Sequence, residues 1–217
     1  MSKPFEYPWD RVKPYKFYHL SMLFCRVASR ILFKFQVVGR ENLPESASGV
    51  IMACNHLHSL DPAILMAATR LRWRFIAKKE LFENKLIATI FTHSNGFPVD
   101  REIVDRRALD YALKAMAEGS YGLGIFPEGT RSPDGVPHEA KTGVAMIARR
   151  TKADILPCAI YDDGKLGFRA RITVRIGEVI PFAALGLGDS PNKRQNRAAC
   201  DKIMGEIRAL WEKGHGA

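Results

Sequence analysis

The chain has 217 residues, 47% hydrophobic and 26% charged, enough for a real core in one domain with an added terminal element. Its 33 Lys+Arg against 23 Asp+Glu give a net charge of +10, so an acidic partner is expected: nucleic acid, an anionic membrane surface or a phosphate-bearing small molecule. The 4 Cys residues are far apart with no CxxC pair and read as reduced thiols of a cytosolic protein, while the lack of a signal-like start or of roughly 20 consecutive apolar residues argues against secretion and against a spanning helix.

The first section, 1–35, is rich in aromatic and basic residues. Leu20, Leu23, Phe24, Val27, Ile31 and Phe35 recur at helical spacing, and Arg26, Arg30 and Lys34 follow one another at i+4. This predicts an amphipathic helix with a cationic face. It either packs on its own domain or lies in a membrane interface, and the absence of acids between Arg11 and Gln36 favours the membrane. The chain thus divides into an N-terminal amphipathic, membrane-associating segment, 1–35, and a domain spanning 36–217.

Beyond it, short apolar runs predict strands near 35–38, 50–54, 74–77, 96–99, 122–126, 155–160 and 172–176. Helical patterns lie near 61–70, 80–92, 103–118, 139–150 and 192–213. Such alternation predicts an α/β fold, a mostly parallel β-sheet flanked by helices. Chemistry in these sheets gathers where strands end and helices begin, and the polar clusters fall there.

The first cluster, Asn55 to Pro62, follows an apolar run. Asp61 reads as a helix N-cap with Pro62 at the first helical position. A turn bringing Asp61 to His56 would fix the imidazole tautomer and leave the far nitrogen as a general base. Capping alone and a polar turn remain the bland alternatives. A zinc site on His56 and His58 would need further ligands, and neither His93 nor His138 stands at a ligand spacing.

The second cluster, Asn95 to Glu102, opens on an Asn-Gly turn and delivers Arg101 just past a short strand. The third runs from Gly122 to Ser132. Gly129, Thr130, Arg131 and Ser132 offer backbone amides, hydroxyls and a guanidinium fork to an anion; a tight loop with a buried Glu128–Arg131 pair is the structural alternative. Further on, Pro157 within an apolar run suggests an edge strand or a strand end near the site.

Taken in order, the clusters resemble the glycerolipid acyltransferases, the 1-acylglycerol-3-phosphate acyltransferase family of phospholipid synthesis. Asn55, His56 and Asp61 match its Asn-His-x4-Asp motif. Phe97 to Arg101 match its Phe-Pro-Val-Asp-Arg motif, Phe126 to Ser132 its Phe-Pro-Glu-Gly-Thr-Arg-Ser motif, and 155–161 its proline-bearing strand. Two positions depart: His58 stands where relatives often have Ser, and Asn95 where a Gly often opens the second motif.

The resemblance implies an O-acyltransferase. His56, oriented by Asp61, would be the catalytic base that moves an acyl group from an acyl thioester directly onto the sn-2 hydroxyl of 1-acylglycerol-3-phosphate, giving phosphatidic acid. Arg101 and Arg131 would bind the acceptor's phosphate, and Glu128, Gly129 and Thr130, which shape the loop, belong to the same phosphate-binding set. No permanently bound cofactor or metal is implied; acyl-CoA or acyl-carrier protein is the donor substrate. The expected partners are the lysophospholipid, the thioester and an anionic membrane surface, with no nucleic acid, at the cytoplasmic face of the cell membrane. Another lysophospholipid, a lyso-aminolipid or glycerol-3-phosphate is the alternative acceptor. A metallo-hydrolase and a non-enzymatic basic domain are the readings from other classes.

Overall fold

The computed structural model describes residues 5–11, 18–100, 105–164 and 167–216. In chain order the elements are α1 (Tyr18–Leu32), β1 (Phe33–Val38), β2 (Val50–Cys54), α2 (Asp61–Thr69), β3 (Trp73–Lys78), α3 (Lys85–His93), β4 (Gly96–Val99), α4 (Arg106–Ala117), β5 (Gly122–Ile125), α5 (Gly143–Thr151), β6 (Asp154–Asp162), β7 (Ala170–Ile176) and α6 (Lys193–Trp211). The strands form one 7-stranded sheet in the order β1-β7-β6-β2-β5-β3-β4. Every pairing is parallel except β6 with β7. The expected mostly parallel α/β sheet is therefore present.

Because β1 and β7 run against the other strands, their N-terminal ends share an edge with the C-terminal ends of β2, β5 and β6. Helix α1 runs directly into β1 and so ends at that same edge.

Strand β2 shows why both faces are covered. Ile51 and Ala53 belong to the core under α4, α5 and α6, whereas Val50, Met52 and Cys54 face the core shared with α2. All are buried, as befits a central parallel strand. At Gly122 and Gly124 strand β5 packs so closely on β3 that no side chain fits: a Cβ on Gly124 would lie 2.3 Å from the Phe75 ring. The starts of α3, α4 and α6 are fixed by side chains. Asn84 accepts from the amides of Leu86 and Ile87, Asp105 from Ala108, and Asn192 from Gln195.

Several expected boundaries move. The 80–92 helix is a 3₁₀ turn, Lys79–Phe82, followed by α3, because the Asn84 cap begins a new helix. The helix expected from 139 starts at Gly143, since the preceding chain is drawn into the loop after β5. Lys34 and Phe35 lie in β1, so the cationic row of α1 ends at Arg30. Pro157 marks neither an edge nor the site, for β6 lies between β2 and β7. Its carbonyl accepts from Gly177 N beyond the last β7 pair, so the N–H that proline lacks would have pointed past the end of the β6–β7 ladder.

Helix α1 is turned inside out relative to an ordinary amphipathic helix. Tyr18, Ser21 and Ser29 are buried, while Leu20, Leu23, Phe24, Val27 and Ile31 are exposed, Phe24 by 71%. Tyr18 secures the buried face: its hydroxyl donates to Leu71 O and accepts from Trp73 N.

Candidate active site

Strand β2 hands over to the site through Asn55. This wholly buried side chain donates to Ile160 O at 2.9 Å and accepts from Ile160 N at 2.8 Å, so it continues the β2–β6 ladder by one step. His56 follows with its backbone fixed from both sides. Its amide donates to Glu128 Oε1 at 2.9 Å, and its carbonyl accepts from Ser132 N at 2.8 Å.

The His56 ring is held equally firmly. Nδ1 lies 2.7 Å from Asp61 Oδ2, and the ring stacks on Phe126 with centroids 4.1 Å apart. Asp61 is fully buried, and the same oxygen accepts from the amides of Leu57 at 2.6 Å and His58 at 2.8 Å. A carboxylate that receives two amide N–H groups takes its third from imidazole. That places the proton on Nδ1 and leaves the lone pair on Nε2. Asp61 is not the helix cap: it is the first residue of α2, with Pro62 second, and no side chain caps this helix. Its carboxylate points back into the loop, because three donors wait there.

Glu128 is buried and both its oxygens are occupied, Oε1 by His56 N and Oε2 by His138 N at 2.9 Å. It is a brace between two loops rather than an anion ligand, and it does not pair with Arg131, which is exposed. Gly129 takes φ +76, and its N–H closes a turn onto Phe126 O. A Cβ there would meet only the flexible end of the Lys141 side chain, so it is the conformation that calls for glycine. Thr130 and Arg131 lie on the exposed rim of this loop. Arg101 falls outside the described residues; Asp100, just before it, forms an ion pair with Lys79 at 2.6 Å.

An apolar cavity of about 360 Å³ opens beside Phe126. Phe97, Val99, Ala112, Ile125, Val144 and Ile147 are among its walls, with Lys141 and Gly129 also lining it. Phe126 thus touches both the imidazole and the cavity. Sequence reading missed this cavity, Lys141, and the roles of Asn55, Phe126 and Asp162. The partners of each come from distant segments, and a 105-residue separation such as Asn55 to Ile160 leaves no local pattern.

Cys54 adjoins the site but is fully buried, and its thiol is pushed well up by burial, with Cys158, Asp61 and Glu128 adding to the effect. A thiolate nucleophile there is disfavoured. His56 and His58 engage different carboxylates, Asp61 and Asp162. Among the described residues no His, Cys, Asp and Glu side chains converge in a group of three or more as a metal would require.

The Acyltransferase family model matches residues 34–161, more than half of the chain. The chain is 32% identical to the 1-acyl-sn-glycerol-3-phosphate acyltransferase of Bacillus subtilis, over 88% of this chain and 96% of that protein. It is 30% identical to the Streptococcus pneumoniae protein of the same name, over 80% of this chain and 63% of that one. The crystal structure of the 1-acyl-sn-glycerophosphate acyltransferase PlsC from Thermotoga maritima superposes with a TM-score of 0.69 at 24% identity, over 88% of this chain and 77% of that chain. That likeness is one of fold.

Proposed function

The chain belongs to the acyltransferase family, and from that premise we propose that it transfers a fatty acyl group from acyl-CoA or acyl-carrier protein to the sn-2 hydroxyl of 1-acylglycerol-3-phosphate, producing phosphatidic acid. The observation that carries this reading is His56, whose Nδ1 is tied to buried Asp61 and whose ring lies on Phe126 beside an apolar cavity.

In the first step the acceptor hydroxyl oxygen attacks the thioester carbonyl carbon while its proton passes to His56 Nε2. Asp61 stabilises the resulting imidazolium. The tetrahedral intermediate then collapses, the C–S bond breaks, and His56 returns the proton to the leaving thiolate. General-base assistance of this kind contributes about 10²–10⁴-fold. The acyl chain occupies the cavity behind Phe126. The acceptor's phosphate is held by Arg131 at the rim, with Lys141 close by as a further cation, and by Arg101, which is assigned from its place in the Phe-Pro-Val-Asp-Arg motif alone.

The same reading puts the protein on an anionic membrane surface. No helix among the described residues is long and apolar enough to cross a bilayer, but α1 presents Leu20, Leu23, Phe24, Val27 and Ile31 to solvent. Phe168, 78% exposed, lies beside the end of α1, where Arg169 N donates to Leu32 O. Cations gather nearby: partial burial and then repulsion from Arg70, Arg30 and Arg26 push the Arg40 guanidinium below its ordinary pKa. Exposed apolar groups beside clustered arginines suit an interface of anionic lipid.

The decisive assay crosses purified protein and its His56→Ala variant with a panel of lysolipids and with acyl-CoA and acyl-carrier-protein donors. Phosphatidic acid from the wild type and none from His56→Ala is expected. Product from His56→Ala at the wild-type rate would overturn the general-base role, and product only from another lysolipid would reassign the acceptor.

A further inference from the structure

We infer that His58, together with Asp162, is a positioning residue for the catalytic pair; the inference rests on acyl transfer at His56. His58 is the one residue of the first motif that departs from the usual serine, and the fold gives it a partner from a different strand. Its Nε2 lies 2.5 Å from Asp162 Oδ2, and that carboxylate is only 5% exposed. Asp162 is the last residue of β6, and its other oxygen accepts from Gly164 N at 2.8 Å, so its position is set by the strand and the turn beyond.

The consequence reaches His56 through the backbone. The loop from Asn55 to Asp61 is fastened at its start to Ile160 and at His56 to Glu128 and Ser132. Further along, Leu57 N, His58 N and His58 O all bond within the loop, to Asp61. The His58 side chain is the tie from this stretch to β6. It keeps the His58 amide 2.8 Å from Asp61 Oδ2, the oxygen that also faces His56 Nδ1. Leu57 stays packed in the core, but without the His58 side chain the stretch loses its anchor on β6, so the His58 amide can draw back from the carboxylate and Asp61 can rotate away from the imidazole. A serine hydroxyl, one bond from Cβ, does not span the distance that the imidazole Nε2 spans, so the tether requires the longer side chain.

The test measures kcat and KM for 1-acylglycerol-3-phosphate and the acyl thioester in His58→Ala, Asp162→Ala, the double variant and His58→Gln. A misplacement of the base is expected to lower kcat by roughly 10- to 100-fold in each single variant, with both KM values little changed. The double variant should be no slower than the worse single one, as for residues acting through one contact. His58→Gln, whose amide nitrogen can reach Asp162, should recover most of the rate. A proton NMR resonance from His56 Nδ1–H, assigned by its loss in His56→Ala, should be sharp in wild type and His58→Gln and broadened or absent in His58→Ala. Unchanged kcat in His58→Ala, additive losses in the double variant, or a change in KM alone would each overturn the proposal. Should the wild type transfer no acyl group, the functional reading fails instead, and the NMR comparison still decides whether His58 holds the pair together.

Discussion

At the scale of single residues, Asp61 and Glu128 show how two buried carboxylates take on different work. Asp61 gathers three donors on one oxygen, one of them the imidazole. Glu128 spends both oxygens on backbone amides from separate segments. Replacing Asp61 by Asn keeps the shape but offers an amide that can present N–H where three donors already point. The expected result is a loss of about 10²–10⁴-fold in kcat with near-normal affinity for both substrates, measured by steady-state kinetics. Wild-type turnover in Asp61→Asn would reduce Asp61 to a loop anchor. At the rim, Arg131→Lys keeps the charge and loses the planar fork. A several-fold rise in KM for the acceptor, with kcat and donor KM unchanged, is expected, and an unchanged acceptor KM would remove Arg131 from the phosphate site.

At the scale of elements, two features invite measurement. Helix α4 contributes Ala112 to the cavity wall, and that side chain is 1% exposed. Ala112→Leu adds bulk where the acyl chain is proposed to lie, so kcat/KM should fall for long-chain donors more than for short ones. An equal fall for all chain lengths would point to distortion of the fold rather than a filled cavity. The loop after β5 is closed by Asp134, which lies 2.8 Å from both Ser132 Oγ and His138 Nε2. These hydrogen bonds, that from Ser132 first, then that from His138 and the Val136 amide, pull its carboxyl down to about 2. A depressed folded value stabilises the loop at pH above the unfolded value near 3.9, and that contribution is lost as pH falls through about 2. Carbon NMR titration of the Asp134 carboxyl should find the low midpoint; a midpoint near 3.9 would mean that the loop is open.

The sequence carried the elements unevenly, for physical reasons. Strands such as β2 and β4 were legible because their apolar runs are bounded by polar or turn residues, Asn95 taking φ +63 just before β4. The His56–Asp61 pair was legible because both members lie within one short loop. The inverted packing of α1 was not, since periodicity gives an apolar stripe without saying which side is buried. Here Tyr18, Ser21 and Ser29 face inward because Tyr18 finds backbone partners at Leu71 and Trp73. Glu128 looked like an anion-loop residue because its true partners are 72 and 10 residues away.

At the scale of the whole molecule, the exposed apolar groups can be tested together. Phe24→Asp and Phe168→Asp alter side chains already 71% and 78% exposed, so the fold should tolerate both. Each loses the burial of an aromatic ring in lipid, about 1.5–3 kcal/mol, or roughly 10- to 150-fold in partitioning. Sedimentation with vesicles of phosphatidylglycerol should show that loss, most strongly in the double variant. Binding equal to wild type would leave α1 without its proposed role.

The reversed course of β1 and β7 has a kinetic consequence. It brings the end of α1 and the Phe168 turn to the same edge of the sheet as His56 and Asp162. A protein docked by that edge meets its acceptor by lateral diffusion in two dimensions. Its velocity should then follow the mole fraction of lysolipid in the surface, and diluting the acceptor with inert lipid at constant total amount should slow turnover as removing acceptor does.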